Sequence, residues 1–328
     1  MRVSFEKGLF EVADRVHAYM QPDGNWGYSN AGLVVGDGMS TLVDTLFDLR
    51  LTADMLTSMA PRIDGNHIST VVNTHANGDH CYGNQLLSGD GVDIISSVPA
   101  LREMQDVPPA VMASLMSADL PPVLRRFLDA AFGPFEFAGI ELVPPTRTFS
   151  GELDLRVGGR CMTLMEVGPA HTGGDVIAWL PDDGVVFTGD ILFIGGTPIM
   201  WAGPIGNWIH ACERIESLRP SVVVPGHGPI TDLAGVREVA EYLGFVRAGL
   251  VARHAAGMSA DEASHDLDLE MNGTRFSGWT DRERLVVTVH NAWRDLEPGY
   301  EVPAITDLFM KMAEDFSRHH PPPVPADS

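Results

Sequence analysis

Lysine is nearly absent from this chain of 328 residues: Lys7 and Lys311 are the only two among 22 basic residues, and the rest are arginine. Acids outnumber bases 44 to 22, for a formal charge of -22. A surface of that sign repels phosphate at long range, so nucleic acid and anionic membranes are excluded as leading partners. Cysteine is scarce too. Cys81, Cys161 and Cys212 stand far apart without a CxxC pair, which fits a reducing compartment and argues against a disulfide framework. No stretch reaches the ~18 apolar residues of a membrane span, and residues 1–8 carry no apolar leader core, so a soluble, cytoplasmic protein is expected. The chain also lacks a Gly-rich phosphate loop, a nicotinamide fingerprint and a Ser-centred nucleophile elbow.

What is present reads as globular. Hydrophobic residues make up 45%, and the 34 glycines and 23 prolines are dispersed, which excludes collagen-like, low-complexity and disordered chains. The first 230 residues read as short strands alternating with helices. Residues 31–35 and 40–44, around the turn Gly36-Asp37-Gly38, predict a hairpin. A helix over 51–61 follows, then an apolar strand at 69–72 running into His75, a helix starting at Gly83, and a strand at 92–96. Residues 99–132 have helical spacing broken by Pro108-Pro109 and Pro121-Pro122, which predicts an insert of two or three short helices spanning about 99–137. Strands return at 153–157, 162–167, 176–180, 185–188 and 222–224, with a helix at 207–218. From 231 to 318 the pattern is helical, with capping boxes expected at Ser259/Glu262 and Thr280/Glu283. Leu285, Val286, Val289 and Trp293 have the spacing to pack on the core, and the tail from 319 to 328 is expected to fray.

The chemistry is concentrated where strands end. The apolar pair Val71-Val72 runs into Asn73-Thr74-His75-Ala76-Asn77-Gly78-Asp79-His80, delivering four nitrogen or oxygen donors with small residues between them to let the loop turn. Three later stretches have the same form, a strand, a Gly-containing turn and a ligand type, and they end in His171, Asp190 and His227. Any one of these alone is more often a structural histidine or a turn aspartate. Four in this order point to one metal centre, whose imidazoles and carboxylates suit Zn²⁺, with iron or manganese as alternatives.

Over roughly residues 10–230 the chain resembles the metallo-β-lactamase superfamily, whose signature H-x-H-x-D-H is followed by a distant His, an Asp in a GD turn and a His in a GHG turn. His75, Asn77, Asp79, His80, His171, Asp190 and His227 occupy those positions, and Asn77 is the one departure. The resemblance implies an α/β fold, an αββα sandwich with a helical insertion and a helical C-terminal extension, and metals at one edge. It implies that His75, position 77 and His171 hold one ion, that Asp79, His80 and His227 hold a second, and that Asp190 bridges them. A carboxamide at 77 is a weak donor, so one tightly bound zinc and a weak second site are expected.

The aspartate at 190, where common β-lactamases carry cysteine, implies the branches that hydrolyse thioesters, lactones and phosphoesters. The expected activity is hydrolysis of a small, largely apolar ester, thioester or lactone by metal-bound hydroxide, with Asp79 and His171 as catalytic groups beyond ligation. Alternatives are a hydrolytic dehalogenase of an aromatic compound, a polyketide thioesterase/cyclase, an iron-dependent sulfur dioxygenase, and a non-catalytic binding protein. Asn73, Thr172 and Asp175 are expected to orient the ligating imidazoles. Trp26, Met200 and Trp201 are expected to line the substrate pocket, with the insert as one wall. The C-terminal helices would serve as a cover or as the contact of a homodimer.

Overall fold

The computed structural model describes residues 5–63, 65–89 and 91–321. It opens with a hairpin not expected from the sequence, β1 (Gly8–Ala13) and β2 (Val16–Met20), turned by Arg15 at φ 59°. The expected hairpin follows as β3 (Ala31–Val35) and β4 (Ser40–Val43). With β5 (Ile68–Val72), β6 (Asp93–Ser97) and β7 (Arg147–Phe149) these form one sheet in sequence order, antiparallel from β1 to β4 and parallel from β4 to β7. A second sheet runs β12-β11-β10-β9-β8, built from β8 (Glu152–Val157), β9 (Arg160–Glu166), β10 (Val176–Leu180), β11 (Val185–Phe187) and β12 (Val222–Val224), with β11 and β12 parallel.

Strand periodicity divides the core into layers. Val16, Ala18, Val34, Val43 and Val72 of the first sheet share a buried cluster with Leu164, Val176, Ala178 and Phe187 of the second, which is the seam between the sheets. Their neighbours Tyr19, Leu33, Leu42, Val71 and Ile177 point the other way, into the layer covered by helices. Gly32 is required on the seam, because a Cβ there would lie 2.4 Å from the Phe187 ring.

The helices are α1 (Leu49–Ile63), α2 (Gly78–Cys81), the insert's α3 (Val98–Glu103), α4 (Pro109–Ser117) and α5 (Pro122–Phe132), then α6 (Ile205–Leu218), α7 (Leu233–Ala255), α8 (Ala260–Met271), α9 (Arg284–Trp293) and α10 (Ile305–His319). The helix expected at Gly83 begins earlier. Gly78 starts α2, and a 3-10 turn over Tyr82–Leu86 continues it. The Ser259/Glu262 capping box forms. The one at Thr280/Glu283 does not: Asp281 sits at φ 54°, outside helical backbone, so α9 starts only at Arg284 and the Glu283 carboxylate turns to the Trp26 indole N–H at 2.7 Å.

Leu285, Val286, Val289 and Trp293 are buried, and α10 folds back onto α5 through Phe127 and Phe316, with ring centroids 5.5 Å apart. Of the tail expected to fray, His319 ends α10 and pairs with Asp268 at 3.1 Å, while 322–328 lies outside the described residues, as does 1–4. Among the described residues no helix is long and apolar enough to cross a membrane.

Candidate metal centre

Parallel strands carry their C-terminal ends to one edge of the sandwich, and the ligand-type side chains follow directly. His75 leaves the loop after β5, Asp79 and His80 sit on α2, Asp190 lies in the turn after β11, and His227 follows β12. His171 comes from the loop between β9 and β10. Gly226 lets the β11 and β12 turns touch, since a Cβ there would lie 2.0 Å from Asp190 Oδ1.

Six of the expected ligands converge. His80 Nε2 lies 3.0 Å from Asp190 Oδ1, and His75 and His171 Nε2 lie 3.8 and 3.4 Å from Asp190 Oδ2. His227 Nε2 is 3.2 Å from Asp79 Oδ2 and 3.4 Å from Asp190 Oδ2. Two sets have all their ligand atoms within 4.8 Å of one another: His75, His80 and Asp190, and Asp79, His80 and His227.

The imidazoles are held from behind. His80 Nδ1 donates to Asp44 Oδ2 at 2.9 Å, His171 Nδ1 to the Ile199 carbonyl at 2.6 Å, and His227 Nδ1 to the Gly24 carbonyl at 3.1 Å. Thr74 gives its hydroxyl proton to Asp44 at 2.8 Å, so the contact of 3.0 Å between its oxygen and His75 Nδ1 is a bond donated by the ring. All four rings thus carry a proton on Nδ1 and turn Nε2 inward, which leaves Nε2 as the nitrogen available to a metal. His75 Nε2, His80 Nε2 and Asp190 Oδ1 are buried without a hydrogen-bond partner. Buried polar atoms left unpaired are costly, and here they face one point, so the donor set fits a divalent cation.

The electrostatics agree. Burial lowers the affinity of His227 for a proton, but Asp190 and Asp79 outweigh it and hold the ring at about 9. Burial likewise opposes the charge on His80, and Asp190, Asp79 and Asp44 raise it well above its ordinary value. Burial pushes Asp79 up, yet His80 and His227 bring it down to about 2. The carboxylates demand positive charge at this spot.

The residues that position the rings differ from those expected. Asn73 donates to the His80 carbonyl at 2.9 Å, and Asp175 accepts from the Thr172 hydroxyl at 2.6 Å. They fix loops rather than imidazoles. Asp44 does the work assigned to them. The one local signal it offers is its place directly after strand β4, a carboxylate at a strand end; which ring it faces follows only from the pairing of β4 with β5. The Ile199 and Gly24 acceptors are backbone atoms with no signature in side-chain type.

Residues 24–227 match the family model of the Metallo-beta-lactamase superfamily. The chain belongs to that superfamily. The 2,4-dinitroanisole O-demethylase subunit alpha of Nocardioides sp. (strain JS1661) is 23% identical over 200 residues, covering 59% of this chain and 51% of that protein. The Beta-lactamase-like protein 2 homolog of Caenorhabditis elegans is 28% identical over 90 residues, 27% of this chain and 29% of that one. The chain spans about half the length, or less, of these curated relatives. Among solved structures, a metallo-beta-lactamase from Pontibacter korlensis superposes with a TM-score of 0.54 at 19% identity, over 73% of this chain and 99% of its own. DIM-1 metallo-beta-lactamase, in a crystal structure of the enzyme exposed to ceftazidime, gives 0.53 at 18% identity, over 74% and 99%. Likeness at that level is a likeness of fold.

In this metallo-β-lactamase-fold chain Asn77, between His75 and Asp79, reaches the centre as well. Its Nδ2 lies 3.2 Å from His171 Nε2. Because His171 donates through Nδ1, Nε2 is the acceptor, and the amide occupies the lone pair that would otherwise face an ion. Both nitrogens of His171 are therefore engaged, which leaves it no free N–H to give to a substrate.

Beside the centre lies a cavity of about 590 Å³. It is walled by Trp26 and Tyr28, by Phe127 of α5, by Trp279 and Glu283, and by Phe316 of α10. Trp26 thus lies where a pocket was expected. Met200 and Trp201 do not line this cavity: Met200 is fully buried, and Trp201 donates its backbone N–H to the His171 carbonyl at 2.8 Å.

Proposed function

We propose that the protein is a metal-dependent hydrolase of a small, largely apolar ester, thioester or lactone, zinc being the ion its donors suit best. The observation that carries this reading is the convergence of four Nδ1-protonated imidazoles and two carboxylates on one point at the sandwich edge. His80 with Asp79 and His227, and His75 with Asp190, would hold the ion. Bound there, a divalent cation supplies Lewis acidity and makes water a nucleophile near neutral pH.

The chain's own residues supply the rest. Asp79 is the acid of the centre that meets solvent, its side chain 12% exposed against 3% for Asp190. From that position its carboxylate would be able to orient an attacking water, take a proton from it and return it to the leaving oxygen or sulfur. Asp44, Thr74, Gly24 and Ile199 keep the four rings in register, so no reorganisation is needed at the moment of reaction.

A second reading, attack on an activated aromatic carbon, is favoured by the relative named as a 2,4-dinitroanisole O-demethylase subunit and by the aromatic walls of the cavity. A panel of 2-naphthyl esters, thioesters, lactones and nitroaryl ethers, assayed with chelator-treated and zinc-restored protein, tests both. Zinc-restored turnover that Asp79→Ala and His227→Ala abolish is expected. Turnover that survives chelation, or full activity in either variant, would overturn the reading.

A further inference from the structure

The cavity beside the centre draws much of its wall from residues 277–283 and α10, beyond the family-matched span of 24–227. We propose that this cavity is the recognition site for an uncharged aromatic ring of the substrate, so that the C-terminal extension, and not the superfamily core, sets ring specificity. The word substrate here rests on the hydrolytic reading above; binding of the ring does not.

Several observations converge. A volume of about 590 Å³ lies in the ordinary range for a small organic ligand. Trp26, Tyr28, Trp279 and Phe316 offer ring faces and edges from separate parts of the chain, with the buried Phe127 packed behind them. Trp26 is fixed before any ligand arrives. Its indole N–H bonds Glu283, the Arg284 guanidinium lies 4.5 Å from its ring centroid, and Phe127 and Phe132 meet it edge-on at 6.0 and 5.5 Å. A wall so ordered costs little further entropy on binding.

The cavity also shares a loop with the metal centre. Asp23, Asn25 and Trp26 line it, while Gly24 between them accepts the bond from His227 Nδ1. A ring seated against Trp26 is thereby placed two residues along the chain from Gly24, the support of His227.

Charge selects against an anion. Arg282 and His319 both face Asp268, at 2.7 and 3.1 Å, and Asp281 pairs with Arg284 at 3.2 Å. Burial, helped by neighbouring Asp281, raises the Glu283 carboxyl to about 7, so this wall already disfavours a buried negative charge, and Arg282 and His319 are taken up by Asp268. The Asp268, Asp315 and His319 grouping behind the wall is an ion-pair network, since Arg282 donates into it.

Isothermal titration of chelator-treated and zinc-restored protein with 2-naphthylmethanol and with 2-naphthoate tests the proposal. One molecule of the alcohol per chain is expected in both forms, with the carboxylate at least about tenfold weaker. Ala130, exposed on α5 at the cavity wall, permits a filling variant that deletes no contact. Ala130→Trp should cut the alcohol's affinity by about tenfold or more while melting temperature and zinc content stay as in the parent, and Phe316→Ala should weaken it independently. Equal or tighter binding of the carboxylate, or unchanged affinity in folded Ala130→Trp, would overturn it. The two readings fail separately. Zinc-dependent hydrolysis of naphthyl esters with a KM untouched by Ala130→Trp would remove the cavity's role and leave the hydrolase, whereas probe binding lost in Ala130→Trp without any zinc-dependent turnover would leave the cavity and remove the hydrolase.

Discussion

Asn77 donates its amide N–H to Nε2 of His171 across 3.2 Å, so the lone pair of that nitrogen is already engaged. Asp79, His80 and His227 bring their ligand atoms within 4.8 Å of one another. Extensively dialysed protein should accordingly hold fewer than two zinc ions per chain by elemental analysis, and Asn77→His should raise the count toward two. Two ions retained by the parent chain would contradict this.

Asp44 stands behind His80 and also accepts from the Thr74 backbone N–H at 2.7 Å, so it braces both His80 and, through Thr74, His75. Asp44→Ala should weaken zinc binding by roughly 10–100-fold in competition with a chromogenic chelator. It should also destabilise the fold by ~3 kcal/mol, because a buried donor loses its charged partner. Unaltered zinc affinity would show that the ring needs no brace.

Much of this centre was legible in the sequence because His75, Asp190 and His227 each follow a strand end by three residues and Asp79 and His80 continue the same stretch, where the pattern of apolar run, glycine and donor is local. What holds the ligands was not local. Asp44 reaches His80 because β4 and β5 are parallel neighbours, a pairing across about thirty residues that no window contains. Gly24 and Ile199 act through carbonyls that any residue would supply. The sandwich followed from the resemblance of the ligand motifs to the superfamily, whereas the helical insert and the helical C-terminal region were readable from periodicity. The β1–β2 hairpin was not, since its strands carry Glu11 and His17 among the apolar residues. Thr280 and Glu283 had capping-box spacing, and one residue of left-handed backbone between them, Asp281, sent the carboxylate to Trp26 instead.

That carboxylate makes stability depend on pH in a defined direction. Burial first, then Asp281, raises Glu283 from 4.5 to about 7 in the folded chain, so the native state binds more protons than the unfolded one between those values. The stability tied to its proton is full below about 4.5 and is lost as pH rises through about 7, on the order of 3 kcal/mol in all. Glu283→Gln keeps an acceptor for Trp26 and cannot ionise. Its melting temperature, set against the parent's, should gain steadily from pH 5 to pH 8; a difference independent of pH would refute the assignment.

The C-terminal helices belong to the core. Leu267 and Met271 of α8, Val289 and Trp293 of α9, and Met312 of α10 are buried to 1% exposure or less, each large apolar side chain worth ~1.5–3 kcal/mol. A chain ending at Gly257 would uncover α7 and lose one wall of the cavity. It should be insoluble on expression, and a soluble, zinc-binding product of that length would show the region to be a separable appendage.

In the proposed hydrolysis, water attacks the substrate at the centre formed by Asp79, His80, Asp190 and His227. Turnover of 2-naphthyl acetate by zinc-restored protein in ¹⁸O-labelled water, read by mass spectrometry, tests it most directly. One label in the acetate and none in the naphthol is predicted, the mark of attack at the acyl carbon. A label in the naphthol would move the attack to the aromatic ring, and a product oxygen drawn from O₂ would contradict hydrolysis altogether.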